Sequence, residues 1–143
     1  MLECLILGDS IANGLSQAKK ECVSITRSGI TSEKWYRGFG SNPYFRDDKY
    51  KVAVISLGTN DLVSDSTSES LYIIRRSIDA DMVIWILPSL VLKPKQRQIV
   101  IEISNEFRDK VLDIREHISY DGIHPNSLVE YKKIVEKIFT ISK

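Results

Sequence analysis

The sequence contains little cysteine, and the two cysteines it has predict no metal centre. Only Cys4 and Cys22 occur among the 143 residues, which is too few for a disulfide framework, and no Cys-x-x-Cys or Cys/His spacing of a zinc site is present. Both cysteines fall in apolar runs that predict strands, where a free thiol behaves as a small buried hydrophobe. We therefore expect two reduced structural thiols, no metal and no other cofactor.

The sequence also lacks an excess of charge of one sign and any long hydrophobic run. Lys and Arg number 20 and Asp and Glu 19, a formal net charge of +1, which gives no electrostatic basis for nucleic acid or an anionic membrane as the main partner. No apolar run approaches the roughly 18 residues of a membrane span. Glu3 interrupts the apolar start and no basic segment precedes it, so we expect no signal peptide and a cytoplasmic or virion-associated protein.

The composition that remains is that of a globular protein. Hydrophobic residues make up 43% and charged residues 27% of the chain, and this length predicts one domain over residues 1–143. Five apolar, β-branched runs predict strands, and the near-continuous ones indicate burial on both faces, as in a parallel sheet. These runs are Leu2–Leu7, Cys22–Thr26, Val52–Leu57, Met82–Leu87 and Val111–Arg115.

Helical periodicity lies between the predicted strands. The stretches with this spacing are Ile11–Lys20, Ser68–Asp79, Lys95–Lys110 and Asn126–Ile141. The alternation of strands and helices predicts an α/β fold, a three-layer α/β/α sandwich whose five parallel strands follow the flavodoxin-like order 2-1-3-4-5. The segment Phe39–Lys51, with Gly40, Asn42 and Pro43, predicts a loop. In such a sheet, ligands bind outside the carboxyl ends of the strands.

Four short polar motifs fall at the predicted strand ends or in the equivalent loop. Each by itself is an ordinary turn or helix cap. Together they supply a serine hydroxyl at a helix start (Ser10), a histidine (His124), a carboxylate three residues before it (Asp121), and candidate donors for an oxyanion. The donors are the backbone N–H of a glycine in the second motif and the side chain of Asn60. A nucleophile, a base, a group that orients the base and an oxyanion site are the set that acyl transfer requires.

At these motifs the chain resembles the SGNH hydrolases, also called GDSL-type esterases. The resemblance rests on GDSIANG at 8–14, SGITS at 28–32, GTND at 58–61 and DGIHP at 121–125, in the family's order and over nearly the whole chain. It implies that Ser10 is the nucleophile, His124 the base and Asp121 the third member of the triad. It also implies an oxyanion hole made by the Ser10 N–H, the Gly29 N–H and the Asn60 side chain.

The second motif departs from the family pattern. The usual asparagine a few residues before the glycine is missing, and Arg27 lies in that region. Alignment on SGITS selects Gly29 as the oxyanion donor, whereas a frame shifted by three would put Ser32 in that place. Both assignments stay open at this point. Asp9 and Asp61 match positions that are mainly structural in the family.

The resemblance implies a serine esterase that hydrolyses short-chain acyl esters, for which we expect acetyl, on a small molecule or a carbohydrate. The insertions that shape an acyl pocket in longer relatives are missing, so we expect a shallow, open site. One alternative is a receiver-like signalling module that uses Asp9 and Asp61 as its acidic and phosphoacceptor residues. Another is a carbohydrate-binding relative that has lost turnover.

Three further residue types have a structural and a functional interpretation. Trp35 and Tyr36 follow the second motif, and either line the site or belong to the core. Trp85 lies within an apolar strand and predicts core. His117 precedes the DGIHP motif in a stretch of mixed polarity, and we expect a surface or turn histidine there.

Overall fold

Five parallel strands form one sheet in the computed structural model, which describes residues 1–143. The strands are β1 Leu2–Gly8, β2 Val23–Thr26, β3 Lys49–Ser56, β4 Asp79–Ile86 and β5 Lys110–Leu112. Their order across the sheet is β2-β1-β3-β4-β5, and every pair is parallel. The predicted strand order is therefore confirmed, although β3 and β4 begin earlier than their apolar runs and β5 is shorter.

Helices cover both faces of the sheet, which confirms the three-layer prediction. They are α1 Ser10–Ala18, α2 Ser32–Phe39, α3 Pro43–Arg46, α4 Asp65–Ser77, α5 Pro94–Phe107 and α6 Leu128–Ile141. Residues of α1 and α6 join one apolar cluster, and residues of α2, α4 and α5 join the other. The four predicted helices are present with ends shifted by a few residues.

The prediction of a loop over residues 39–51 is wrong in part. Asn42 accepts a hydrogen bond from the Tyr44 N–H at 2.9 Å and caps a short helix that starts at Pro43. Strand β3 then begins at Lys49. The Asn-Pro pair that indicated a loop is also a helix start, because proline at the first helical position needs no hydrogen-bond acceptor for its nitrogen.

The central strands bury both of their faces in alternation. Leu5 and Leu7 point into the cluster under α2, α4 and α5, whereas Ile6 points into the cluster under α1 and α6. Successive side chains of a strand face opposite sides of the sheet, so a near-continuous apolar run supplies both cores. Trp35 and Trp85 are fully buried in the first cluster, which confirms the core interpretation of Trp85 and settles that of Trp35.

The expectation of two free thiols is wrong, because Cys4 and Cys22 form a disulfide. Leu5 and Val23 are neighbours in the register of β1 and β2, so the residues that precede them also lie side by side, with their Cα atoms 4.8 Å apart. Both cysteines are buried on the α1 side of the sheet. The bridge closes the segment that contains Ser10, and it depends on a strand pairing that residue spacing alone does not reveal.

None of the helices has both the length and the apolar character needed to cross a bilayer.

Candidate active site

The first motif turns sharply from β1 into α1. Gly8 has φ +138°, and a Cβ there would lie 1.9 Å from the Ser56 carbonyl oxygen, so only glycine fits. The next residue donates its backbone N–H to that same oxygen at 2.9 Å. Ser10 is the first residue of α1. The turn thus presents the Ser10 hydroxyl at the carboxyl edge of the sheet, at the amino end of a helix.

Asp9 is buried beneath this turn and holds it together. Its Oδ1 accepts hydrogen bonds from the Ile11 N–H at 3.1 Å and from the Ser56 hydroxyl at 2.9 Å, while its Oδ2 has no partner. Burial raises the pKa of Asp9 from 3.8 to about 6, against the opposing effect of these hydrogen bonds. Because folding raises this pKa, the folded state loses stability as pH rises from 3.8 to about 6.

Ser10, His124 and Asp121 lie in one hydrogen-bonded line. Ser10 Oγ is 2.9 Å from His124 Nε2, although the two residues are 114 positions apart. His124 Nδ1 is 2.9 Å from Asp121 Oδ2. The Nδ1–H group donates a hydrogen bond to the carboxylate, which leaves the lone pair of Nε2 free to accept the hydroxyl proton of Ser10. The structure therefore brings together the three residues of the predicted triad.

The histidine loop (residues 118–127) delivers His124 to this line. An antiparallel bridge between Ile118 and Pro125 joins the two ends of the loop, and the Ser119 N–H donates to the His124 carbonyl at 2.8 Å. Within the loop, Asp121 Oδ1 accepts the N–H groups of Ile123 at 2.8 Å and His124 at 2.9 Å. These hydrogen bonds hold the pKa of Asp121 well below its ordinary value, and the one from the His124 backbone N–H has the largest effect.

The candidate oxyanion donors flank Ser10 on the neighbouring strands β2 and β3. Gly29 follows β2 with φ +75°, is exposed, and has an N–H that donates to no group of the protein. Asn60 follows β3, and its side-chain amide donates one hydrogen to the Ile30 carbonyl at 3.2 Å. An amide carries two N–H bonds, so the second remains available.

Ser32, the alternative to Gly29, occupies a different environment. It is fully buried, and its N–H donates to Asp61 Oδ1 at 2.8 Å while its hydroxyl donates to Asp61 Oδ2. The Ser32 N–H is therefore already used in the fold. Of the two residues that the sequence left open, Gly29 is the one whose N–H is free.

Asp61 and Asp9 are both structural in this arrangement. Asp61 is 5% and Asp9 1% exposed. Asp9 accepts a hydrogen bond from the backbone N–H of Ile11, after its own strand, and Asp61 accepts one from the backbone N–H of Ser32, after the strand β2. A phosphoacceptor must meet its phosphodonor from solution, and a carboxylate enclosed in this way cannot. The geometry therefore argues against the receiver-like alternative.

The expectation of a surface or turn histidine at His117 is confirmed for the turn and wrong for the surface, because His117 is buried. It lies in a single 3₁₀ turn at Arg115–His117, and only 6% of it is exposed. Its Nδ1 is 2.7 Å from Glu130 Oε2 on α6, and its Nε2 is 2.8 Å from Lys137 Nζ. Since a lysine ammonium can only donate, Nε2 is the acceptor and Nδ1 the donor. The signal that sequence reasoning missed is the pair Glu130 and Lys137, spaced along one side of a helix.

The surface around Ser10 is open. Five cavities of about 330 to 680 Å³ lie elsewhere on the molecule, with neither Ser10 nor His124 in their lining. The His124 side chain is 41% exposed. An ester carbonyl thus reaches the hydroxyl directly from solution.

No known family model matches the chain, and no curated protein matches it. Solved structures do. A GDSL-like lipase from Bacteroides thetaiotaomicron superposes with a TM-score of 0.68 at 17% identity, over 98% of this chain and 86% of that one. A lipase/acylhydrolase from Enterococcus faecalis gives 0.67 at 17% identity, over 99% and 96%. An acetylxylan esterase from Geobacillus stearothermophilus gives 0.65 at 13% identity, over 99% and 93%.

These likenesses define a class of fold. The chain has the fold of the GDSL-type lipases and esterases, and the resemblance drawn from its four motifs is confirmed at that level. Identities of this size carry the fold and not the activity, which has to be argued from the residues of this chain.

Proposed function

We propose that this protein is a serine esterase that transfers the acyl group of an ester to water. The observation that carries the proposal is the unbroken line from the Ser10 hydroxyl through His124 to Asp121, with both hydrogen bonds at 2.9 Å. If these three residues only formed turns, nothing would require their side chains to meet from opposite ends of the chain. The same line argues against a relative that binds carbohydrate without turnover.

In the first half-reaction, Ser10 Oγ attacks the ester carbonyl carbon and its proton moves to His124 Nε2. The negative charge that develops on the carbonyl oxygen is stabilised by the Ser10 and Gly29 N–H groups and by the Asn60 amide. The C–O bond to the alcohol then breaks, and the departing oxygen takes the proton from Nε2. Asp121 stabilises the imidazolium in between, and the low pKa of its carboxyl keeps it ionised.

In the second half-reaction, water replaces the alcohol. The oxygen of the water molecule attacks the carbonyl carbon of acyl-Ser10 while His124 Nε2 takes a proton from that water. The bond to Ser10 Oγ then breaks, Oγ recovers the proton from Nε2, and the acid is released. No step requires a metal or an organic cofactor.

The substrate we propose is a short-chain acyl ester, with acetyl as the acyl group. The support is the open surface at Ser10, which lines none of the five cavities of about 330 to 680 Å³ that could enclose a long acyl chain. The fold shared with an acetylxylan esterase makes an acetylated carbohydrate a reasonable first substrate to assay.

The test is the variant Ser10→Ala, assayed with p-nitrophenyl acetate. We expect the loss of at least about 10⁴ in kcat, because the remaining oxyanion donors act only on an attack by water. Circular dichroism and thermal unfolding establish that the variant is folded. Labelling of the native protein by a fluorophosphonate, absent in Ser10→Ala, checks the nucleophile independently. Unchanged turnover in a folded variant would exclude Ser10 from the role.

A further inference from the structure

A cavity of about 510 Å³ lies beside the histidine loop, and the reaction just proposed does not use it. Its walls are the β4–α5 loop (residues 87–93) and the tip of the histidine loop. The side chains and backbone that line the wall nearest the triad are Leu90, Val91, Leu92, Tyr120, Asp121 and Gly122. Asp121 thus faces His124 on one side and this cavity on the other.

The two walls touch, so the cavity belongs to the architecture of the site. Gly122 has φ +77°, and a Cβ there would lie 2.6 Å from Leu92 Cδ1. The β4–α5 loop therefore packs directly on the tip of the loop that holds the base and its carboxylate. A group bound between the loops would lie next to the triad.

Four apolar or aromatic side chains form one exposed wall of the cavity, whereas Arg115 and Asp121 are the exposed charged residues of its lining. Leu90, Val91 and Leu92 are 48%, 80% and 50% exposed, and Tyr120 is fully exposed. Three of the charged groups of the lining are engaged with one another, since Arg97 and Arg115 both bind Asp113, at 3.0 and 2.8 Å. Exposed apolar side chains on adjacent loops form a surface that binds an apolar ligand.

The strand order determines which half of an ester reaches this cavity. The oxyanion donors come from the ends of β2, β1 and β3, whereas the cavity lies beyond them, at the ends of β4 and β5. The carbonyl oxygen must face the donors, and the departing oxygen must face His124 Nε2 to receive its proton. His124 is on the loop that returns from β5, so the alcohol half leaves the ester on the side of the cavity.

We propose that this cavity, between the β4–α5 loop and the histidine loop, binds the alcohol half of the substrate, and that this alcohol is bulky with an extended apolar face. The inference rests on the proposed esterase function and adds to it. The expected substrate then combines a small acyl group with a large alcohol.

Two isomeric esters test which half occupies the cavity. Hexyl acetate and ethyl hexanoate have the same composition and leaving groups of similar basicity, but they carry the chain on opposite sides of the ester bond. We expect kcat/KM to be higher for hexyl acetate by about tenfold or more, because methylene groups in an apolar pocket are discriminated by about that factor. Equal values, or a preference for ethyl hexanoate, overturn the proposal.

Variants of the exposed wall connect this preference to the cavity. We expect Val91→Asp and Tyr120→Ala to reduce the ratio of the two kcat/KM values several-fold toward one. Tyr44→Ala is the matched control, since Tyr44 is an exposed tyrosine of α3, remote from the carboxyl edge of the sheet, and should leave the ratio unchanged. If the wall variants also leave the ratio unchanged, the alcohol binds elsewhere.

A third measurement uses the fact that the alcohol has departed before the acyl-enzyme is hydrolysed. The rate of deacylation, followed after a burst with p-nitrophenyl acetate, should be the same in Val91→Asp and the native protein. A slowed deacylation would place the acyl group in the cavity and contradict the proposal. Retained wild-type turnover in Ser10→Ala is a separate result, because it removes the esterase function itself.

Discussion

His117 and His124 lie at the two ends of one short segment, and each forms a hydrogen bond from Nδ1 to a carboxylate. The difference is at Nε2. In His124 this nitrogen faces the Ser10 hydroxyl at an open surface, and in the buried His117 it faces the partly exposed Lys137 ammonium. A base needs a lone pair that can accept a proton from the reacting group, whereas a lone pair held by lysine serves only the fold. The comparison shows that the second partner of a histidine distinguishes a catalytic role from a structural one.

The largest expected effect separates the two histidines by turnover. His124→Gln should lower kcat by about 10⁴-fold, since no base remains for Ser10. His117→Gln should keep kcat within about threefold, because glutamine can still donate to Glu130 and accept from Lys137. Both are measured with p-nitrophenyl acetate at a temperature where each variant is folded. A comparable loss in both variants would break the distinction.

The second prediction applies the same comparison to the carboxylates. Asp121→Asn should lower kcat by about 10³-fold or more at neutral pH, because the amide favours the wrong tautomer of His124. KM should change less than kcat, since the carboxylate acts on the reaction through His124. Glu130→Gln, the matched change at His117, should leave kcat near that of the native protein. Loss of turnover in Glu130→Gln would show that the group of residues around His117 also takes part in catalysis.

The third prediction concerns the candidate oxyanion site, which lies beside the triad of His124 and has no counterpart at His117. Asn60→Ala should lower kcat by about 10² to 10³-fold, with KM nearly constant, since the amide acts mainly on charge that develops in the transition state. Asn42→Ala, which removes only the cap of α3, is the control for a change of asparagine. A rise in KM at constant kcat would instead make Asn60 a ground-state binding residue.

The smallest expected effect is on stability, and here the change at His117 should matter more than the change at His124. His117→Leu should lower the free energy of unfolding by about 1–3 kcal/mol, because it removes the two hydrogen bonds of a buried imidazole to Glu130 and Lys137. His124→Leu should change it by less than about 0.5 kcal/mol, as expected for a half-exposed side chain. Urea denaturation measures both. An equal destabilisation would mean that the two clusters contribute alike to the fold.

Much of the site could be predicted from the sequence because its residues follow strands. Parallel strands bring their carboxyl ends to one edge, so Ser10, Gly29 and Asn60 had to become neighbours once the strand order was correct. The catalytic roles remain predictions. The sequence could not show whether Gly29 or Ser32 has the free backbone N–H, because this depends on the hydrogen bonds that Asp61 makes across the fold.

The errors have a common origin in contacts between distant segments. Cys4 and Cys22 were expected to be free because spacing does not show which residues share a register position in β1 and β2. The burial of His117 was not expected because the stretch around it has mixed polarity, whereas its partners come from α6. The helix over residues 43–46 was missed because a single helical turn has too few positions to show a period.

What the amino-acid order determined alone is the alternation of strands and helices, the sheet order and the edge at which the polar motifs gather. Hydrophobic period and the handedness of crossovers act locally, and they leave few ways to arrange such a chain. Tertiary structure decided which nitrogen of each histidine is free, which backbone N–H is unused and where the cavity beside Asp121 opens. These properties depend on the partners that packing brings into contact, and those partners lie far apart along the chain.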